Sequence, residues 1–441
     1  MYIKKLLIAI VLLGSAPLYA QEKPSDKKEL SLIEAIALAR QQNKSVETAK
    51  MEEQATIEDQ RDTKLAALPR VDLNAGYQRY SSLSVYQDGL GGRHSSKRFP
   101  TPNQANAGIE GAFTIYAGGK VKAFQEEQAI RTDLASLNTR DLSGNISLQT
   151  AAGYLDLMRL IDLKKFILDQ EKRAELRLKN INSFYQNQKV TRSDVLRAEL
   201  MLSNVKLSLV QTENDINITS QRLDVLLNLP KSTSILPTDA FDQMKPELPE
   251  LLALLDHQGE NAFSVLKSGK NIQLQQSRFN SIKSNHLPTL SFITAYGFNY
   301  PNFQGSPPVD QMYSIGFVGL KAQYNISSLY QNKGKINAAK WRIKESETQK
   351  EYLLDQIRQE SESYYIKYLE ALNRIEVSEK SIQQAEANYK IISTKYFNQL
   401  ALLTDLLDAD YLFQESRFNL IKAQTDAIMV YYRMLYTTGK L

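Results

Sequence analysis

The chain has 441 residues, 42% of them hydrophobic and 23% charged, with 19 glycines, 13 prolines, three histidines and no cysteine. This is enough apolar material for a sizeable core, and it excludes collagen-like, disordered and disulfide-stapled chains along with cysteine nucleophiles, iron-sulfur clusters and Cys/His zinc sites. The net charge of +5 is too weak over this length to argue for nucleic acid as a partner, and two of the charges, Lys4 and Lys5, sit in a segment expected to be removed.

That segment opens the chain. Lys4 and Lys5 precede an apolar stretch from Leu6 to Leu13, and small residues follow up to Ala20. Residues 1–20 read as a secretory signal peptide, because the apolar core is far shorter than the roughly 20 residues a membrane-spanning helix needs. Cleavage is expected after Ala20; Gln21 is not the cysteine that carries bacterial lipid, and Gln21 to Glu29 reads as a loose polar tail. Ser31-Leu32-Ile33-Glu34 is a capping box and starts a helix.

Val71, Leu73, Ala75 and Tyr77 then alternate with polar residues, as do Ile109, Gly111, Phe113 and Ile115 after them. Between these strands, Ser81 to Ala107 holds three glycines and two prolines and is expected to be a mobile hairpin loop. Gly118-Gly119-Lys120 fails the phosphate-loop pattern, since Thr114 stands where the first glycine belongs and no Ser or Thr follows the lysine; it reads as a bend. Past it, proline is absent from Asn103 to Leu229 and glycine from Tyr154 to Gln258, so a helix from about Lys120 to Asn187 is free to run unbroken. At 1.5 Å per residue it would be roughly 100 Å long. Lys231 to Pro249, with three prolines, is expected to be a linker.

A second hairpin is expected from Leu290 to Tyr300 and Met312 to Ile326, and a second long helix follows, with no proline after Pro308 and no glycine from Lys335 to Thr438. In that helix Leu372, Ile375, Ile382, Ala385, Tyr389, Ile392 and Tyr396 step by 3, 7, 3, 4, 3 and 4, a coiled-coil seam. Phe413, Leu420, Ala427 and Met434 recur every seven residues. These stripes read as bundle core.

The halves repeat each other. Tyr185, Asp194, Leu196 and Ala198 return 211 residues later as Tyr396, Asp405, Leu407 and Ala409, and Leu68-Pro69 returns as Leu287-Pro288. The expected organisation is therefore a first repeat over 21–230, a linker over 231–249 and a second repeat over 250–441, each made of helix, hairpin, very long helix, tip turn and helix. Four strands leave two edges unpaired and are too few to close, so the chain is expected to pool strands with copies of itself. Spacing alone leaves two, three or four copies open. If the strands form a barrel in an outer membrane, their apolar faces meet lipid and Tyr77, Tyr80, Tyr296, Tyr300 and Tyr313 fit an interfacial girdle.

Four stretches resemble the TolC-like outer membrane efflux proteins. They are Leu30 to Ile36 with Asn43, Leu68-Pro69 with the alternation after it, Phe113 to Lys120, and Tyr396 to Ala409, which ends in Asp-Leu-Leu-Asp-Ala. The resemblance implies a mainly α fold with a small β part: long antiparallel coiled-coil helices forming an α-barrel tunnel, and four strands per chain contributing to a trimeric 12-stranded outer-membrane β-barrel. It further implies a periplasmic adaptor (membrane fusion) protein and an inner-membrane pump of RND or ABC type as partners, the outer membrane of a Gram-negative bacterium as location, and no cofactor. Its adaptor-docking tips correspond to Tyr185, Asn187, Gln188, Val190, Thr191, Tyr396, Asn398, Gln399, Leu400 and Leu402. The chain departs from the family where Gln188 and Gln399 stand in place of the common tip glycine; Asn187 and Asn398 tolerate left-handed geometry and are expected to supply the turn.

The resemblance also assigns Asp405 and Asp408 to a pore constriction. Three residues apart, they share one helix face, and three copies would set six carboxylates around an entrance and favour cations. The bland alternative is that each complements a helix dipole, as Asp194 is expected to do. The functional expectation is an exit duct without enzymatic activity, passing substrates from periplasm or pump to the outside. The rival is a secreted or periplasmic coiled-coil scaffold or adhesin.

Overall fold

A computed structural model describes residues 27–441 except 82, 87–88, 93, 98–100, 232, 245–246, 256–258 and 305–308. The expected signal peptide lies outside the described residues. In chain order the elements are β1 (Lys27–Leu30), α1 (Leu32–Gln42), α2 (Lys44–Leu65), β2 (Arg70–Arg79), β3 (Leu83–Tyr86), β4 (His94–Lys97), β5 (Asn103–Tyr116), α3 (Lys120–Gln186) and α4 (Arg192–Leu226). After β6 (Ser234–Pro237) and a 3-10 turn at Phe241–Gln243 come α5 (Leu248–Leu255), α6 (Phe263–Ser284), β7 (Thr289–Tyr300), β8 (Tyr313–Gln323), α7 (Ser328–Gln331), α8 (Lys333–Phe397) and α9 (Leu403–Thr437). The chain is thus mostly helical with some strands. Freed of proline and largely of glycine, α3 runs for 67 residues and α8 for 65.

Three expectations are corrected. The polar tail is not loose throughout, because Lys27–Leu30 pairs in parallel with Ser234–Pro237 inside the expected linker. The first hairpin loop is shorter than Ser81 to Ala107: Asn103 already pairs with Arg79, and β3 pairs with β4 within the loop. The linker region also carries the start of α5 at Leu248.

The described chain divides into two compact units, each drawing on both halves of the sequence. One comprises the described residues up to Asn43 with Ile146–Lys245 and Tyr368–Met429. Its centre is the wholly buried Tyr154 on α3, whose hydroxyl lies 2.8 Å from both the Leu30 carbonyl and the Asp239 carboxylate. Asp239 also accepts a 2.6 Å hydrogen bond from the Leu32 amide, so one carboxylate ties the start of α1 and the segment after β6 to α3. Burial first, and Asp239 second, push the Tyr154 phenol well above its ordinary pKa, so it remains a donor. The Ser31–Glu34 capping box forms as expected, and Asn43 closes α1 while its side-chain amide donates to the Leu226 carbonyl.

The other unit comprises Lys44–Asn145, Pro246–Lys367 and Val430–Leu441. It holds a four-stranded antiparallel sheet in the order β2-β5-β7-β8, which joins the two hairpins through β5 and β7. Gly108 faces Gly297 in that central pair, and a Cβ on Gly108 would lie 3.0 Å from the Gly297 Cα. Register opposites share a face. One face carries the rows Leu73-Ile109-Tyr296-Gly316 and Val71-Gly111-Thr294-Val318; the other carries Asp72-Glu110-Ala295-Phe317 and Asn74-Gly108-Gly297-Ile315. The bend after β5 needs its glycines, since Gly118 and Gly119 have φ of +63° and +85° and a Cβ on Gly118 would lie 2.7 Å from Leu287.

Replacing Tyr154 with Phe removes the donor that Leu30 and Asp239 share, leaving the Leu30 carbonyl with the Thr238 amide and the half-buried Asp239 carboxylate with the Leu32 amide. We expect a stability loss of about 1–3 kcal/mol, read by thermal or denaturant melting of the detergent-solubilised protein; an unchanged melt would show that neither acceptor depends on the hydroxyl.

Candidate functional site: the helical tips

Both long helices end in the same way. After α3 the Lys189 amide donates to the Phe184 carbonyl (2.8 Å) and the Gln188 amide to Tyr185 (2.9 Å); after α8 the Leu400 amide donates to Lys395 (2.8 Å) and the Gln399 amide to Tyr396 (2.9 Å). This is the Schellman closure, which requires one residue in the left-handed region. Here the structure corrects the sequence reading. The left-handed residues are Gln188 (φ +58°) and Gln399 (φ +64°), not the asparagines before them. Asn187 and Asn398 instead turn their side-chain amides back onto the Ser183 and Thr394 carbonyls, at 2.8 and 2.9 Å.

The returning helices also match. Thr191 caps α4, and Asp194 accepts from both its amide (2.9 Å) and its hydroxyl (2.8 Å). Leu402 stands where the second repeat would have that threonine, so only the backbone half of the box survives, with the Leu402 amide donating to Asp405 at 3.0 Å. Asp405 therefore has the helix-start role expected of Asp194. Asp408, one turn on, is exposed and has no hydrogen-bond or ion-pair partner among the described residues.

Under the tips lies a core of Ile181, Val195, Ala198, Tyr396, Leu403, Leu406 and Leu407, with Val190 packed against it. Among the residues expected at a docking surface, Tyr396 is thus buried; Tyr185, Asn187, Gln188, Thr191, Asn398, Gln399, Leu400 and Leu402 are exposed. Burial raises the Tyr396 phenol pKa, with the Asp194 charge adding to the rise and Arg177 opposing it. A groove of about 570 Å³ between α3 and α4 runs up from the tip, lined by Glu175, Leu178, Asn182, Gln186 and Leu202 among others.

Sequence reading missed a charged cluster immediately behind this core. Arg177 and Asp410 form a 2.6 Å ion pair with both side chains about 95% buried. Arg173, one turn back on α3, lies 3.6 Å from the same carboxylate, with its guanidinium about 6 Å from the ring centroids of Phe166, Tyr389 and Phe413. The signal was a charge on the buried side of α9, between Leu406 and Phe413. Among the described residues no group of three or more His, Asp or Glu side chains is placed to hold a metal, and no helix is long and apolar enough to cross a membrane.

Comparison with known proteins agrees with this geometry. Residues 35–229 match the family model described as outer membrane efflux protein. No curated protein sequence matches the chain. The outer-membrane channel OprN superposes with a TM-score of 0.76 at 15% identity over 93% of this chain and 90% of its own. VceC of Vibrio cholerae gives 0.75 at 16% identity over 92% and 96%. The open-state MtrE channel of Neisseria gonorrhoeae gives 0.74 at 15% identity over 92% and 88%.

Left-handed glutamine is strained where glycine is not. Gln188→Gly with Gln399→Gly should stabilise each tip by about 1 kcal/mol, slowing amide exchange around 184–190 and 395–401 roughly fivefold. Faster exchange would mean that the glutamine side chains hold the turns. By sequence over 35–229 and by fold over more than nine-tenths of its length, the chain is similar to the outer membrane efflux proteins, and the scaffold or adhesin reading is not favoured.

Proposed function

We propose that the chain is an outer membrane exit duct of an efflux or type I secretion system, a passage rather than an enzyme, which works as a homotrimer. The observation that carries this reading is the four-stranded sheet. Its β2 and β8 edges have no strand partner among the described residues, and on one face Leu73 and Val318 are 81% and 72% exposed. Free edges and bare apolar faces both call for a partner, and copies of the same sheet in a lipid bilayer supply both. Three copies give a barrel of twelve strands, and two repeats per chain give a ring of six similar helical pairs. An exposed apolar stripe along α4, including Leu196, Leu200, Leu207 and Val210, fits the neighbouring copy.

In this arrangement the hairpin loops face outside the cell, and α3 and α8 carry the tips into the periplasm. The exposed tip residues Tyr185, Leu400 and Leu402 with the side chains of Gln188 and Gln399 form the surface for a periplasmic adaptor, which couples the duct to an inner-membrane pump of RND or ABC type. Asp405 and Asp408 face the entrance and favour cations. Tyr77, Tyr296 and Tyr300 share the face of Leu73 and Ile109 and meet lipid, whereas the register sets Tyr313 on the opposite face.

Native mass spectrometry in detergent should find three chains per particle; a stable monomer with full sheet content would overturn the assembly. In planar bilayers, Asp405→Asn with Asp408→Asn should lower the preference for cations over anions severalfold, while trimer yield and melting stay near wild type, because exposed carboxylates contribute little to stability. Unaltered ion selectivity would reduce both to helix-start aspartates.

A further inference from the structure

Helix α9 buries Leu403, Leu406, Leu407, Ala409, Asp410 and Phe413; the three leucines share a core with Ile181 of α3, Asp410 pairs with Arg177, and Phe413 meets Phe166. Five of the six are apolar: their burial sets which face of α9 turns inward, but apolar contact is non-directional and tolerates repacking, so it opposes a partial roll of the helix less sharply than a paired charge does. Asp410 is different. A carboxylate about 6 Å from the helix axis moves through about 5 Å when the helix rolls by about 50°, half the angle between successive residues, whereas its contact with Arg177 spans 2.6 Å. Rolling α9 therefore breaks the pair and leaves both charges buried without partners.

Two further features make the contact specific. Arg173 closes on the carboxylate from the next turn of α3 and is itself held among Phe166, Tyr389 and Phe413, so Asp410 is bracketed by two arginines. The pair also has no counterpart in the other half. The positions 211 residues away from Arg177 and Asp410 are Asn388 and Glu199, and both are exposed. Among the described residues the two halves thus differ near the tips by this buried ion pair, which joins α9 to α3.

We propose that Arg177 and Asp410 are positioning residues of the entrance: their buried pair fixes the rotation of α9 on α3 and thereby the direction in which Asp405 and Asp408 point. This rests on the entrance reading above and extends it. Asp410 lies five residues after Asp405 on the same helix, so the buried and exposed carboxylates turn as one body.

The test replaces the pair by apolar side chains of similar reach, Arg177→Met with Asp410→Leu, an exchange that often leaves stability intact while removing directional constraint. In the cysteine-free chain, spin labels at Lys172→Cys on α3 and Glu415→Cys on α9, diluted with unlabelled chains, report the rotation of α9 by pulsed EPR without reference to conduction. The parent should give one narrow distance; the apolar pair should give a distribution at least twice as wide, with cation preference falling towards that of Asp405→Asn with Asp408→Asn. A narrow, unshifted distance in the folded variant would overturn the proposal, even if the entrance aspartates govern selectivity. Unaltered selectivity in the aspartate variant would overturn the entrance reading, while the label distances still decide whether the pair sets the rotation. Should the apolar pair fail to fold, Arg177→Lys keeps the charge and loses the planar fork; it should widen the distribution by a smaller amount, and no widening would again overturn the proposal.

Discussion

A β-sheet with free edges is incomplete, and the sheet β2-β5-β7-β8 has two. Each unpaired edge presents backbone groups that must bond to water, to another chain or to nothing, and the last option is closed in a membrane, where an unsatisfied amide costs several kcal/mol. The sheet is also too narrow to curl onto itself. It cannot simply be left in water either, because one face carries Val71, Leu73, Ile109, Tyr296 and Val318 in register. The proposed assembly answers both demands at once, and the rest of the molecule is arranged around that answer. Gly108 and Gly297 bring the two hairpins into one sheet, and Gly118 and Gly119 turn the chain from β5 into α3.

At the far end of α3 and α8 the physical problem is reversal rather than closure. Each helix stops by placing a glutamine in left-handed geometry, with an asparagine folded back to satisfy a carbonyl of the last turn. The repeated geometry follows from repeated sequence: Asn-Gln occupies 187–188 and 398–399. What differs between the tips is more informative. Thr191 completes a capping box where Leu402 cannot, so Asp194 is held by two bonds and Asp405 by one, and the exposed Asp408 stands where the first half has Arg197. Buried beneath them, Arg177 and Asp410 differ from Asn388 and Glu199. The halves agree in backbone and diverge in charge, which is what a duplicated frame with one specialised half would show.

Much of this was legible because breakers and periodicity act locally. The absence of proline and glycine predicts α3 and α8, and the seam from Leu372 to Tyr396 falls on residues that are at least partly buried. Alternation locates β2, β5, β7 and β8 to within a few residues, since a strand with one apolar face must alternate. Pairing over long separations was not legible: no local signal joins Lys27–Leu30 to Ser234–Pro237, or Tyr154 to Asp239. The choice of left-handed residue was misread because asparagine tolerates that geometry better than glutamine, yet the hydrogen-bond pattern of the helix end, not side-chain preference, sets which residue takes it. Arg177 and Asp410 escaped notice because charged residues on a long helix are ordinarily solvated, and only the packing of α9 on α3 makes this one pair exceptional.

The central claim is that copies of the chain complete the sheet. Residue-resolved amide hydrogen exchange on the detergent-solubilised protein tests it most directly, because the outward-pointing amides of β2 and β8 are free in one chain and bonded in a closed barrel. The account predicts protection at β2 and β8 comparable with that of the central strands β5 and β7. Rapid exchange confined to the outward amides of β2 and β8, with β5 and β7 protected, would mean that the edges are open and would contradict it.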